Sequence, residues 1–412
     1  MPTVRAMKYI SIVIILIILA PGAGHAQGPV EAMVKQASAA KEAGRFDEAI
    51  GILSSALAID PKSDAVLVAL GRTYGAKGDF KQAKSVLEKA VQVNPGSADA
   101  HRFLGLVYGK LGDMKKAIAE AKRGTELEPK LIAGHQLLAE LHLAAGQFKD
   151  AIKTEQEILR LDPKNAEAHL AIAMANRGLK KTAEAVKFAK KASELAPKEV
   201  APLLTLATLY AEQKKAKQAT DTLRQAERLA NGAQPVMETI AATYALVGAG
   251  EETLRIYKEL VAKHPKSAGL RLQLAKVLFL SKKIDDAKAE ADKAAELEPQ
   301  SGEPPKLLGL IAAAKGDAAT AEKELRKSMA KNPKDLEIRV ALGEILAKSG
   351  KFDEAIKEIE AVIKAEPKAE AGLAQGLCQL YRQHGKVKDR GRDVCLKACK
   401  AAGVSEKDCD LP

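Results

Sequence analysis

Residues 64–97 read DAVLVALGRTYGAKGDFKQAKSVLEKAVQVNPGS, and residues 98–131, ADAHRFLGLVYGKLGDMKKAIAEAKRGTELEPKL, follow the same plan 34 residues later. Laid over one another, Gly71 meets Gly105, Gly78 meets Gly112, Ala83 meets Ala117 and Pro95 meets Pro129. A fixed period of a few tens of residues is the mark of a stacked repeat architecture, so it is read before any single residue. The proline stands at Pro61, Pro95, Pro129, Pro163 and Pro197, and again at Pro265, Pro299, Pro333 and Pro367. One double step separates the two runs, and Asn231-Gly232, a turn pair, fills the gap. With the proline numbered 32, ten repeats begin at Val30, Asp64, Ala98, Ile132, Ala166, Val200, Gln234, Ala268, Gly302 and Leu336.

Each column of the repeat has a physical reading. Positions 4, 7, 8 and 11 (Leu67, Leu70, Gly71 and Tyr74) fall on one face of a helix. Position 15 is Gly in seven repeats and Lys180, Lys214 or Lys282 in the others; glycine there ends the first helix in the left-handed conformation. Asp79 stands three residues before Gln82, a pattern that opens a second helix. Ala83, Leu87 and Ala90 form that helix's apolar face. Position 8 is Ala or Gly throughout, and position 20 is Ala in every repeat but one, where Thr253 replaces it. Small residues in these columns predict a close crossing of the two helices of a hairpin. The stretch 231–253 departs most from the pattern; it reads either as drift within a continuous array or as a hinge between six repeats and four.

The period, the small residues at 8 and 20, the frequent Tyr at 11 and the Pro at 32 together resemble the tetratricopeptide repeat family, in its exported bacterial type. The resemblance covers residues 30–369. It implies an all-α, right-handed superhelical solenoid of helix-turn-helix repeats that binds proteins, and it implies no enzymatic activity. The family's Trp at position 4 is absent here. The resemblance places partner contacts on first helices, at positions 2, 5, 9 and 12. These are Arg72, Arg102, Leu106, Gln136, Glu140, Leu143, Leu170, Met174, Arg177, Leu204 and Thr208 in the early repeats, and Leu272, Lys276, Phe279 and Leu310 later. They form an apolar strip edged by charge, which suits an extended peptide or a helix. The family's clamp for a C-terminal carboxylate is not expected, because Val34 and Ser38 stand at its positions.

Outside the repeats lie two terminal segments. Residues 1–26 read as a signal peptide: Arg5 and Lys8, the apolar run 9–20, then small residues up to Ala26. Cleavage after Ala26 is expected, with an uncleaved anchor as the alternative. The expected division is therefore 1–26 signal, 27–369 repeats and 370–412 a capping segment, with the mature protein periplasmic or secreted and without a transmembrane segment. A solenoid needs such a cap. All four cysteines lie in it: Cys378, Cys395, Cys399 and Cys409. Four cysteines allow three pairings, with free buried thiols as the alternative; Cys378 and Cys395 are about equidistant from a hairpin turn at 385–388, which favours their facing one another across an antiparallel pair. In that connectivity Cys399 would pair with Cys409.

No constellation carries catalysis. There is no phosphate loop, no dinucleotide-binding glycine turn and no nucleophile elbow. His101, His135 and His169 recur at position 4, but equivalent residues of stacked helices lie roughly 10 Å apart and zinc ligands must approach to about 2 Å. They are read as packing residues, and no metal or cofactor is expected. Trp is absent and aromatic residues make up 3% of the chain, which argues against the stacking platforms of nucleic-acid binders. The net charge is +12. Its densest part is the tail, where Arg382, Lys386, Lys388, Arg390, Arg392, Lys397 and Lys400 face only Asp389 and Asp393. An anionic polymer such as an exported polysaccharide is the alternative partner to protein.

Overall fold

A computed structural model describes residues 28–384 and 390–401. The chain divides into two compact units, Met1–Thr205 and Leu206–Pro412. The first holds five hairpins: α1 (Pro29–Glu42) with α2 (Phe46–Ile59), α3 (Asp64–Lys77) with α4 (Phe80–Val93), α5 (Ala98–Lys110) with α6 (Met114–Leu127), α7 (Ile132–Ala144) with α8 (Phe148–Leu161), and α9 (Ala166–Gly178) with α10 (Thr182–Leu195). The boundary between units falls within α11 (Val200–Glu212). The second unit continues with α12 (Ala216–Ala230), then α13 (Gln234–Leu246) with α14 (Gly250–Lys263), α15 (Ala268–Leu280) with α16 (Ile284–Leu297), α17 (Glu303–Ala314) with α18 (Ala318–Lys331), and α19 (Leu336–Lys348) with α20 (Phe352–Ala365). A 3-10 turn, Pro367–Ala369, leads to α21 (Glu370–His384) and α22 (Arg390–Ala401). The described residues contain no strand. Each unit is an all-α solenoid of stacked hairpins. The stretch 231–253, where the pattern weakens, lies inside the second unit and not at the boundary.

The turn column behaves as one. All seven glycines at position 15 have positive φ, between 70° and 89°. Lys180, Lys214 and Lys282 adopt the same conformation, at 59°, 58° and 61°, although a side chain there meets the following carbonyl. The shared hydrogen bonds hold them: the Gly78 N–H donates to the Gly75 carbonyl at 3.1 Å and the Asp79 N–H to the Tyr74 carbonyl at 2.9 Å, and the Lys180 and Lys181 amides bond the Arg177 and Asn176 carbonyls in the same way. Second helices open on an acid where one is present. Asp79 accepts from the Gln82 N–H at 3.1 Å, and Asp113 and Asp317 do the same in their repeats.

The crossing of each hairpin rests on the two small columns. Ala49, Ala83, Ala117, Ala151 and Ala185, all at position 20, have no exposed surface. A Cβ added at Gly105 would stand 2.9 Å from the Ala121 amide nitrogen and 3.0 Å from the Ala117 carbonyl oxygen, so the two backbones leave no room there. Thr253, the exception at position 20, is 1% exposed and satisfied: its hydroxyl donates to the Ala249 carbonyl at 2.9 Å and reaches the Ala241 carbonyl at 3.4 Å.

The missing Trp at position 4 is replaced by paired side chains. His101 is buried; its Nδ1 lies 2.6 Å from Glu120 Oε2 and its Nε2 lies 3.1 Å from the Pro95 carbonyl. Arg271 repeats the arrangement with Glu290, at 2.6 Å, and the Pro265 carbonyl, at 2.8 Å. Arg339 pairs with Glu358 at 2.5 Å. The acid is at position 23 in these three, and in three repeats with an apolar position 4, position 23 is apolar too: Met33 with Ile52, Leu67 with Val86, Met237 with Ile256. His135 and His169 turn Nε2 to the Pro129 and Pro163 carbonyls, and the His169 ring lies 5.8 Å from that of Phe188. The histidines therefore brace hairpins. A polar pair buried in this way costs desolvation that its hydrogen bonds must offset.

In the terminal pair, Cys378 of α21 and Cys395 of α22 are joined by a disulfide, with Cα atoms 4.9 Å apart. Both are buried beside Leu377, Tyr381 and Val394. Cys409, the expected partner of Cys399, lies outside the described residues, as do the signal segment 1–26 and the turn 385–388.

Candidate functional site

The period that builds the hairpins also sets first-helix residues of successive repeats beside one another. In the first unit there is a cleft of about 510 Å³. Phe46, Gly71, Phe80, Leu87 and Val107 form its apolar floor and walls, and Lys41, Arg72 and Lys110 stand at its rim. Gly75, at position 12, leaves one wall open: nothing lies within 4 Å of where its Cβ would be. Phe103 is the centre. The Arg72 guanidinium lies 4.6 Å from its ring centroid and that of Arg102 4.1 Å. Two cations held against one ring are attracted by its negative face. Arg102 is further fixed by Asp99, and its Nε is buried without a hydrogen bond. Arg72 is exposed, with no carboxylate partner among the described residues, and Leu106 beside it is 39% exposed. The cleft can take an apolar side chain on its floor and an anionic group at its rim.

The first-helix residues change character further along the first unit. Gln136, at position 5 of α7, donates to Glu167 of α9 at 3.2 Å. Glu140, at position 9, and Glu167, at position 2, are exposed. Leu143 and Leu170 are half-buried, and Met174 is 44% exposed. Of the expected contact residues, Arg72, Arg102 and Leu106 lie around Phe103, and Gln136, Glu140, Leu143, Leu170 and Met174 are carried by α7 and α9. Arg177 closes α9 and Leu204 lies on α11 within the first unit, while Thr208 falls in the second. In that second unit Lys276, Phe279 and Leu310 line a cleft of their own, of about 550 Å³; Leu272 is half-buried on α15.

A further column lies on the second helices, outside the expected contact positions. Position 24, on the second helix, packs against position 8 of its own repeat: a Cβ on Gly71 would meet Leu87, and one on Gly309 would meet Leu325. Leu87 is on the floor of the Phe103 cleft, and Ile359 lines another cleft in the second unit. Position 24 carries Leu, Ala, Ile or Tyr in nine repeats and Glu155 in the fourth. Glu155 is 5% exposed. Burial, with Glu140 and Glu167 facing it, pushes its carboxyl up to about 8.

Two family models match the chain. Residues 246–311 and 312–388 match a tetratricopeptide repeat, and residues 18–235 match the Cilia and flagella-associated protein 70 C-terminal domain. The chain belongs to the tetratricopeptide repeat family. No curated protein matches it. Among solved tetratricopeptide structures, it is similar to MamA at 28% identity, covering 39% of this chain and 95% of that one, with a TM-score of 0.37. Yeast Tom70 is 16% identical over 92% of both chains, with a TM-score of 0.47. YrrB, described as a TPR protein with an unusual peptide-binding site, is 21% identical over 42% of this chain and 88% of that one, with a TM-score of 0.38. Among the described residues, no helix is long and apolar enough to cross a membrane, and no group of three His, Cys, Asp or Glu side chains could hold a metal ion.

Proposed function

We propose that this chain is an exported, non-enzymatic scaffold that docks protein or peptide partners along the groove of its first unit, as part of an envelope assembly or export system. The observation that carries the reading is the Phe103 cleft, an apolar floor under a cationic, aromatic-backed rim. Such a cleft suits an extended segment or a helix that presents an apolar residue beside an acidic one. Membership of the tetratricopeptide repeat family supports docking as the general role. The signal-like residues 1–26 and the buried Cys378–Cys395 pair in the terminal helices support export into an oxidising compartment.

A pull-down from periplasmic extract tests the docking. Wild type is expected to retain partners that Arg102→Glu and Leu143→Glu lose; equal recovery by all three proteins contradicts groove binding. N-terminal sequencing of the exported protein is expected to begin at Gln27.

A further inference from the structure

Position 24 is a floor position: where Leu87 occupies it, the side chain is fully buried beneath the Phe103 cleft. Glu155 takes the same place in the fourth repeat, on α8 between α7 and α9, and is 5% exposed. A carboxyl held largely out of water costs stability and contributes nothing to the hairpin that a leucine would not supply better. The charged groups facing it from the two packed helices are both acidic, Glu140 of α7 and Glu167 of α9. The imidazoles of those helices, His135 and His169, turn instead to the Pro129 and Pro163 carbonyls. Both facing acids stand at groove positions, and Gln136 ties Glu167 in place at 3.2 Å. The three are not placed to hold a metal ion.

We propose that Glu155, with Glu140 and Glu167 at the rim, receives a lysine or arginine side chain of a polypeptide lying in the first unit's groove. Glu155 thus reads a basic residue where the Phe103 cleft reads an apolar and an acidic one, and the bound segment carries both signs of charge. This rests on the docking function proposed above. In the unbound protein the carboxyl holds its proton at neutral pH, because burial and the two neighbouring acids disfavour its charge. Docking the cation ionises Glu155, and the proton leaves to solvent.

The test uses the full chain and a phage-displayed library of random dodecapeptides, followed by calorimetry with the best selected peptide and its analogue in which the basic residue is norleucine. Selected peptides are expected to carry a Lys or Arg at a fixed spacing from an acidic residue. Binding at pH 7 is expected to release close to one proton, read from two buffers of different ionisation enthalpy. Affinity should rise by up to about tenfold per pH unit between about pH 6 and 8 and then level off. Glu155→Gln should remove the proton release and the pH slope and weaken binding at pH 8 by about tenfold or more, while binding the norleucine analogue as wild type does. Peptides that bind, are lost with Arg102→Glu, and yet show no basic residue and no response to Glu155→Gln would overturn this proposal and leave the docking reading standing. Failure of wild type to select any peptide would overturn both.

Discussion

The second and fourth repeats put different side chains at the same floor position. Leu87 lies under an apolar cleft rimmed by Lys41, Arg72 and Lys110; Glu155 lies under two further acids. The hairpins are otherwise alike, with Ala83 and Ala151 at the crossing and Gly78 and Gly146 at the turn. The same scaffold carries either residue, the acid at a cost in stability, and the difference belongs to the surface the floor supports. A repeat architecture makes such a comparison strict, because register fixes which residues are equivalent.

Breaking the comparison outright should have the largest effect. Leu87→Glu places an unpaired carboxylate in a fully buried site and is expected to cost roughly 3–5 kcal/mol in denaturant unfolding at pH 9. Glu155→Leu should stabilise instead. The crossing beneath both floors is probed by Gly105→Leu, whose side chain would press on the Ala117 and Ala121 backbone; a loss of roughly 1–3 kcal/mol is expected. Unchanged thermal unfolding would contradict the register. The turn column gives the smallest effect. Lys180→Gly should stabilise by about 0.5–1 kcal/mol, since glycine enters the left-handed region without strain, and Gly146→Lys should cost about as much.

Much of the fold was legible because it is periodic. The prolines, the small columns and the turn glycines each repeat often enough to be read without a partner in view, and Asp79 announced its own helix. The lysines at position 15 looked like exceptions, yet Lys180, Lys214 and Lys282 take the glycine conformation, because the hairpin's hydrogen bonds impose it. The pairing of position 4 with position 23 was harder to see. It requires two columns read jointly, as in His101 with Glu120 and Met33 with Ile52. The site was less legible than the fold. Arg72, Arg102 and Leu106 were found from their groove positions, but Phe103, which organises them, is at position 6 and belongs to no groove column. Glu155 carries a signal, a lone acid in a column of Leu, Ala, Ile and Tyr, but that column is buried on second helices, where a single sequence gives no view of what packs over it.

The central claim is that Glu155 is a buried acid which the fold itself does not use. Its carboxyl is raised to about 8, so the folded state binds that proton more tightly than the unfolded chain does. Stability should therefore fall as pH rises from the ordinary glutamate range to about 8. Urea unfolding of wild type and Glu155→Gln across pH 4 to 9 measures this directly. The two proteins are expected to differ by a small constant amount at the acid end, with the variant gaining steadily on wild type above the ordinary glutamate range until the gap stops widening above about pH 8. A gap that does not change with pH would contradict the buried acid, and with it the floor on which the docking proposal stands.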